Sequence, residues 1–380
     1  MYPLPYWRLS GFYFFHFALI GAFAPYWGLY LQSLSFSAFQ IGLLMSLLQI
    51  IRIIAPTGWG WLADRIGKQI LVVQLSAIAG LISYCGFFFE NSFIWMFVIM
   101  ALMSFFWSAS LPLIEATTFS YLDHSSVKYG SIRSWGSLGF ILAVIGTGHL
   151  LDNVNIAWLL WVILGFKLGI IIFSYQIPEI EAVPRSGDSL SIRQILLRPE
   201  VLVLFTACLL MAFAHAPYYT FYSIYLEEYG YSRSSIGWLW ATGVICEIGI
   251  FFIIPRLLQR FSLKKILSMC FGCAVVRFLM IGWGVEYFLI VLLAQVLHAV
   301  TYGAYHATAI TMVHQFFRGR HQAKGQALYV SLTFGVGGAL GSIFSGYAWE
   351  GLGSGFTFSI SAIAALLGFG LVAWRMILKE

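Results

Sequence analysis

The sequence predicts an all-α membrane protein of twelve transmembrane helices, arranged as two six-helix pseudo-symmetric halves. Three observations carry that expectation. Of 380 residues, 60% are hydrophobic and 9% charged, with a mean hydropathy of +0.86, whereas soluble domains carry about a quarter charged residues. Apolar runs near the ~20 residues that a membrane span requires recur along the whole chain. Finally, one constant shift in residue number aligns features of the first half with those of the second.

The runs fall at 9–31, 40–62, 69–89, 93–119, 131–151, 156–177, 200–226, 235–255, 263–285, 287–313, 325–349 and 354–374. The first is too long for a signal-peptide core and lacks a small-residue cleavage site, so it reads as a retained helix. Basic residues gather on one side of this pattern: Arg8; Arg65 and Lys68; Lys128; Arg185, Arg193 and Arg198; Arg256, Arg260, Lys264 and Lys265; Arg318, Arg320 and Lys324; Arg375 and Lys379. The opposite loops carry Arg233 against Glu90, Asp152, Glu227, Glu228, Glu286 and Glu350. The positive-inside rule then makes both termini cytoplasmic. The net charge of +6 has this topological cause, and no nucleic-acid partner is implied. All five cysteines lie within apolar stretches, which implies no disulfide framework, and Cys270-Phe-Gly-Cys273 reads as packing despite its redox-like spacing. Without a His-Glu-x-x-His motif or a Cys/His set at ligand spacing, neither a metal nor another cofactor is expected.

The longest polar connection, residues 179–199, holds Pro184, Ser186, Gly187, Asp188, Ser189 and Ser191 and reads as a cytoplasmic linker between halves 1–178 and 200–380. The constant shift pairs Tyr30-Leu31 with Tyr225-Leu226, Ser37 with Ser232, Ile41-Gly42 with Ile236-Gly237, Leu44 with Leu239 and Arg65 with Arg260. Duplicated halves of this kind are what transporters rock around a central site.

The same shift pairs Arg52 with Glu247, each near the middle of an apolar run. A charge at that depth is costly unless it is paired or faces water. Two readings stay open: the second and eighth spans converge on one cavity, or the pair is a structural clamp. On the consecutive fourth and fifth spans, Glu115 and Arg133 set an acid and a base near or within the membrane, or at its cytoplasmic rim. On the tenth span His298, Tyr302 and His306 recur one turn apart and share a face, and a histidine beside Glu247 could load and release a proton. His215, Tyr218, Tyr219 and Tyr222 on the seventh span, and His16, Phe23, Tyr26, Trp27 and Tyr30 on the first, form aromatic stripes that would line an aromatic box. Lys167 is ambiguous, snorkelling being one reading, and Arg277 is expected to pair with an inward acid. Gly335, Gly337, Gly338, Gly341, Ser342, Ser345 and Gly346 form a small-residue seam for close helix packing.

The run Gly60-Trp61-Leu62-Ala63-Asp64-Arg65-Ile66-Gly67-Lys68 after the second span resembles the cytoplasmic Gly-x-x-x-Asp-Arg-x-Gly-Arg/Lys motif of the major facilitator superfamily. That resemblance implies a gating latch at Gly60, Asp64, Arg65, Gly67 and Lys68. Tyr129-Gly130-x-x-Arg133-x-Trp135-Gly136-Ser137, Ala214-His215-Ala216-x-Tyr218-Tyr219 and Gly230-Tyr231-Ser232 through Gly237-x-Leu239-Trp240 to Glu247 together resemble the phenylpropionate permease group, related to the lactose permease type of proton symporter. By that likeness Glu115 and Arg133 stand where the sugar transporter clamps its substrate, and Glu247, Arg277 and His298 or His306 stand where it couples protons. An acid on the seventh span, present in the sugar transporter, is absent here.

Together these features predict a proton-coupled symporter of the bacterial inner membrane, monomeric in the bilayer, for a small aromatic carboxylate such as 3-phenylpropionate. Its partners are a small-molecule substrate and protons. Arg52 or Arg133 is expected to receive the carboxylate, with Tyr26, Tyr30, His215, Tyr218 and Tyr219 around the ring. An oligosaccharide or nucleoside symporter of the same fold is the alternative. An intramembrane enzyme with a histidine base is disfavoured by the lack of a nucleophile or metal motif.

Overall fold

The protein is described by a computed structural model covering residues 4–122, 126–179, 192–318 and 321–376. The polar residues Asp123, His124 and Ser125, most of the linker (180–191, with Arg185), Arg320 and Lys379 lie outside these described residues. Among the described residues twelve helices are long and apolar enough to cross a membrane: α1 (Tyr6–Ser33), α2 (Ala38–Ile66), α3 (Gln69–Phe88), α4 (Phe93–Leu122), α5 (Lys128–Asn153), α6 (Trp158–Gln176), α7 (Pro199–Glu228), α8 (Arg233–Arg260), α9 (Leu263–Gly284), α10 (Phe288–Phe316), α11 (Lys324–Leu352) and α12 (Ser354–Arg375). Several outrun the apolar stretches that announce them, because backbone hydrogen bonding continues through flanking polar residues that hydropathy leaves out. The described end of the linker adds a short helix at Ile192–Leu196.

The helix ends follow local chemistry. Gly67 takes a φ of 72°, a left-handed conformation that ends α2 and that side chains with a Cβ disfavour. Glu179 folds back and accepts hydrogen bonds from the Ile70 and Leu71 amides at 3.1 and 3.0 Å, placing a carboxylate on the positive end of α3. Pro199 opens α7 in its first turn, where no amide donor is required.

The chain forms two compact units. The first comprises residues 1–36, 50–185 and 232–238; the second comprises 37–49, 186–231 and 239–380. The first turns of α8 therefore belong to the first unit and those of α2 to the second. In the first unit Asp152, at the end of α5, accepts from the Arg233 and Ser234 amides at 2.8 and 3.2 Å. In the second, Glu350, at the end of α11, accepts from the Phe39 amide at 3.3 Å. The internal repeat thus extends to how these two helices are capped.

Glycines set the closest approaches. Gly21 and Gly139 let α1 and α5 meet backbone to backbone in the first unit. In the second, the predicted seam packs as expected: a Cβ at Gly337 would stand 2.5 Å from the Leu209 carbonyl of α7, and one at Gly341 would stand 2.6 Å from Ala216. Among the described residues three spans carry π-helical turns, at Ala299–Ala304 in α10, Ser331–Gly337 in α11 and Leu371–Arg375 in α12.

Candidate functional site

Among the described residues, each unit brings ionisable side chains from different helices together. In the first, α4 and α5 bring Glu115 and Arg133 together, with Arg133 Nε 4.0 Å from Glu115 Oε1 and each side chain about a third exposed. Tyr129, one turn before Arg133, donates from its hydroxyl to Glu115 Oε1 at 3.2 Å. The guanidinium lies 3.8 Å from the centre of the Phe17 ring and 5.7 Å from that of Tyr13, both on α1. Gly136 makes room for this stack, since a Cβ there would meet Phe17 at 2.7 Å and Arg133 Nη1 at 2.9 Å. A loosely paired arginine above an aromatic face can exchange one carboxylate for another.

The first-span aromatics expected around a ligand lie elsewhere. Tyr26 and Tyr30 are more than two turns further along α1 than Phe17, roughly 14 and 20 Å by helical rise. Tyr26 is fully buried and donates to the Val144 carbonyl at 2.8 Å and the Arg233 carbonyl at 3.1 Å, so its hydroxyl ties α1 to α5 and to the start of α8. Tyr13, Phe17 and Tyr129 carry the contacts instead. The spacing of Tyr129 and Arg133, one turn apart after Glu115, was the available signal for one of them. Arg52 is exposed on the part of α2 that belongs to the first unit. Asp64, Arg65, Gly67 and Lys68 are also exposed, Gly60 is half-buried, and the Arg65 guanidinium lies 5.3 Å from the Trp61 ring of its own helix.

The second unit holds a deeper cluster. Glu247 Oε2 on α8 is 3.9 Å from His298 Nε2 on α10. The His298 ring stacks on Tyr302 with centroids 5.3 Å apart and on Tyr218 at 5.6 Å. Tyr302 in turn stacks on His306 at 6.2 Å, so the three residues share a face as expected. His306 is directed to the Tyr329 hydroxyl at 3.3 Å, leaving His298 as the histidine that meets Glu247. The π-helical turn begins directly after His298 and carries Gly303, where a Cβ would press on Glu247 Cγ at 2.9 Å. Such extra-residue turns recur at functional sites.

Arg277 is fully buried on α9. It was expected to pair with an acid; among the described residues no carboxylate comes within 4.0 Å of it. Its Nε donates to the Ala294 carbonyl at 3.0 Å, its Nη1 to Thr301 Oγ1 at 3.4 Å, and its guanidinium lies 4.3 Å from the Tyr218 ring centre. The Tyr218 hydroxyl donates to Gln295 Oε1 at 3.0 Å, and Trp240 stacks against Tyr218 at 4.7 Å. His215 donates from Nδ1 to the Met211 carbonyl at 2.9 Å, its ring 6.5 Å from those of His298 and Tyr219. Five buried polar atoms here have no hydrogen-bond partner among the described residues: His215 Nε2, the Tyr222 hydroxyl, Arg277 Nη2, Gln295 Nε2 and His298 Nδ1.

Residues 6–360 match the MFS_1 like family. The chain belongs to that family. It is a multi-pass membrane protein of the major facilitator superfamily, with twelve spans in two six-helix halves. A protein of Escherichia coli (strain K12) named "Probable 3-phenylpropionic acid transporter" is 28% identical over 363 residues, 93% of each chain. The xanthosine permease of the same strain is 22% identical, covering 90% of this chain and 87% of its own. The crystal structure of the nucleoside transporter NupG superposes with a TM-score of 0.86 at 19% identity, covering 98% of this chain and 99% of that one, and shows the shared fold. The relatives and structural neighbours named here are transporters, and with them this chain reads as a transporter.

Proposed function

We propose that the protein is a proton-coupled symporter of the bacterial inner membrane, with both termini cytoplasmic, and that it carries a small aromatic monocarboxylate resembling 3-phenylpropionate. The observation that carries this reading is the Glu247–His298 contact at 3.9 Å, enclosed by Tyr218 and Tyr302 and backed by buried Arg277. A carboxylate in such surroundings changes charge only by taking up or releasing a proton, which suits a coupling site. In the first unit Arg133 receives the substrate carboxylate in exchange for Glu115, and Phe17 and Tyr13 offer their faces to the aromatic ring. The name of the 28% identical relative supports this cargo. Coupling also answers an electrical need: an anion entering against an inside-negative potential is opposed by about 2.3 kcal/mol per 100 mV, and a proton carried with it cancels that term.

Uptake of labelled 3-phenylpropionate into energised vesicles, with and without a protonophore, tests the reading. Accumulation that the protonophore abolishes is expected; accumulation indifferent to it would remove the coupling. A second reading, a nucleoside or oligosaccharide symporter, draws support from the xanthosine permease relative and from the capacity of Glu115 and Arg133 to bind hydroxyls. Competition by xanthosine or sugars, with none by aromatic acids, would decide for it.

A further inference from the structure

The first unit contains a second cation that the proposed cycle does not use. Lys167, midway along α6, is 6% exposed, so its ammonium does not snorkel to an interface. Among the described residues no carboxylate comes within 4.0 Å of it and it makes no hydrogen bond. Its Nζ lies 5.3 Å from the Tyr84 ring centre and 5.9 Å from that of Trp107. Two ring faces attract a cation, but they leave three N–H donors without a strong acceptor. A buried amine in that condition gains most from a partner that accepts hydrogen bonds and brings negative charge, which would also hold it protonated.

Lys167 also lines a cleft between α1, α3, α4 and α6, together with Leu19, Ser76, Gly80, Trp107 and Ser110, with a volume of about 10 Å³ open to the centre of a water-sized group. The cleft faces an interruption in α4. The helix runs from Phe93 to Trp107, turns at Ser108–Ala109 and resumes as Ser110–Leu122. Ser110 is therefore the first residue of a new helical segment, at its positive end, and it is 2% exposed. Ser76 gives its hydroxyl proton to the Val73 carbonyl at 2.9 Å, whereas Ser110 makes no side-chain hydrogen bond among the described residues and can donate into the cleft. An ammonium, a donor hydroxyl and a helix start converge on a space too small for an aromatic ring.

We infer that Lys167, Ser110 and the start of the second segment of α4 form a binding site for one small monovalent anionic group. The group is either an inorganic halide or the carboxylate end of a substrate; only the second source rests on the proposed cargo. Thermal unfolding of the full-length protein in detergent tests this, at constant ionic strength with HEPES as the reference anion. Chloride, bromide or 3-phenylpropionate is added in turn. The wild type should show a saturable rise in midpoint of a few degrees, and Lys167→Met, which leaves an apolar chain of similar length, should lose it. Ser110→Ala should shift the half-saturating concentration upward several-fold. A halide-dependent rise assigns the inorganic source, and a rise with 3-phenylpropionate alone that Lys167→Met removes assigns the carboxylate. If no ligand gives a rise that Lys167→Met removes, the site is overturned while the transport reading stands, since binding of 3-phenylpropionate at Arg133 would raise both variants alike. No rise with any of the three overturns it as well. Should Lys167→Met fail to fold, anomalous scattering from wild-type crystals soaked with bromide or with a ring-brominated 3-phenylpropionate decides, and maps that place neither a bromide nor the analogue's carboxylate within hydrogen-bonding reach of Lys167 reject the inference.

Discussion

The two charged centres differ in burial, and burial governs what each can do. Glu115 and Arg133 are each about a third exposed at 4.0 Å separation, a pair whose net worth to stability is at most ~1 kcal/mol. Such a pair opens readily, and its arginine can take another anion. In the second unit Arg277 is fully buried and His298 nearly so. A centre of that kind resists ligand exchange but responds strongly to one proton. The contrast teaches that likeness in sequence pattern, an acid near a base on neighbouring spans, does not assign a role until burial is known.

The comparison is broken most severely by removing Arg277. Arg277→Met should destabilise the protein by about 3 kcal/mol, because the Ala294 carbonyl and Thr301 lose their buried donor, and a fall in unfolding midpoint would register it. Arg133→Ala should leave the midpoint nearly unchanged yet raise the half-saturating substrate concentration by roughly 10–100-fold, since a charge-assisted contact of ~1.5–3 kcal/mol is lost. Equal stability losses in these two variants would erase the distinction between the centres. Gly303→Ala sharpens it: the new methyl would press on Glu247 Cγ and Ile250, with a stability cost of about 1–2 kcal/mol and weaker proton-driven accumulation at similar substrate affinity. The smallest effect belongs to Tyr129→Phe, which removes one hydrogen bond to Glu115, worth ~1 kcal/mol or a few-fold in apparent affinity.

Much of the fold was legible because lipid imposes a simple rule: backbone polar groups must be satisfied within each span, so long uncharged runs become helices. The repeat could be read because identical residues such as Tyr30-Leu31 and Tyr225-Leu226, or Ile41-Gly42 and Ile236-Gly237, recur at one shift, and the shared face of His298, Tyr302 and His306 followed from helical period alone. Other features left no mark. The π-helical turn at Ala299–Ala304 involves no proline and does not alter the apolar pattern. Phe17 and Tyr13 sit in a helix so rich in aromatics that no stripe separates a cation's partner from a packing residue, and Tyr26, chosen from that stripe, spends its hydroxyl on backbone carbonyls. The depth of Lys167 was equally hidden, since a lysine in mid-span is written the same way whether it snorkels or turns inward.

The measurement that bears most directly on the central claim compares Glu247→Gln with wild type in two assays on the same proteoliposomes: uphill uptake of labelled 3-phenylpropionate driven by a proton gradient, and exchange of labelled for unlabelled substrate without one. Glutamine keeps the shape and hydrogen-bonding capacity of the side chain but cannot release a proton. If Glu247 and His298 couple transport to protons, uphill uptake falls to background while exchange persists near the wild-type rate. Undiminished uphill uptake in Glu247→Gln would contradict the assignment and return the coupling role to another group.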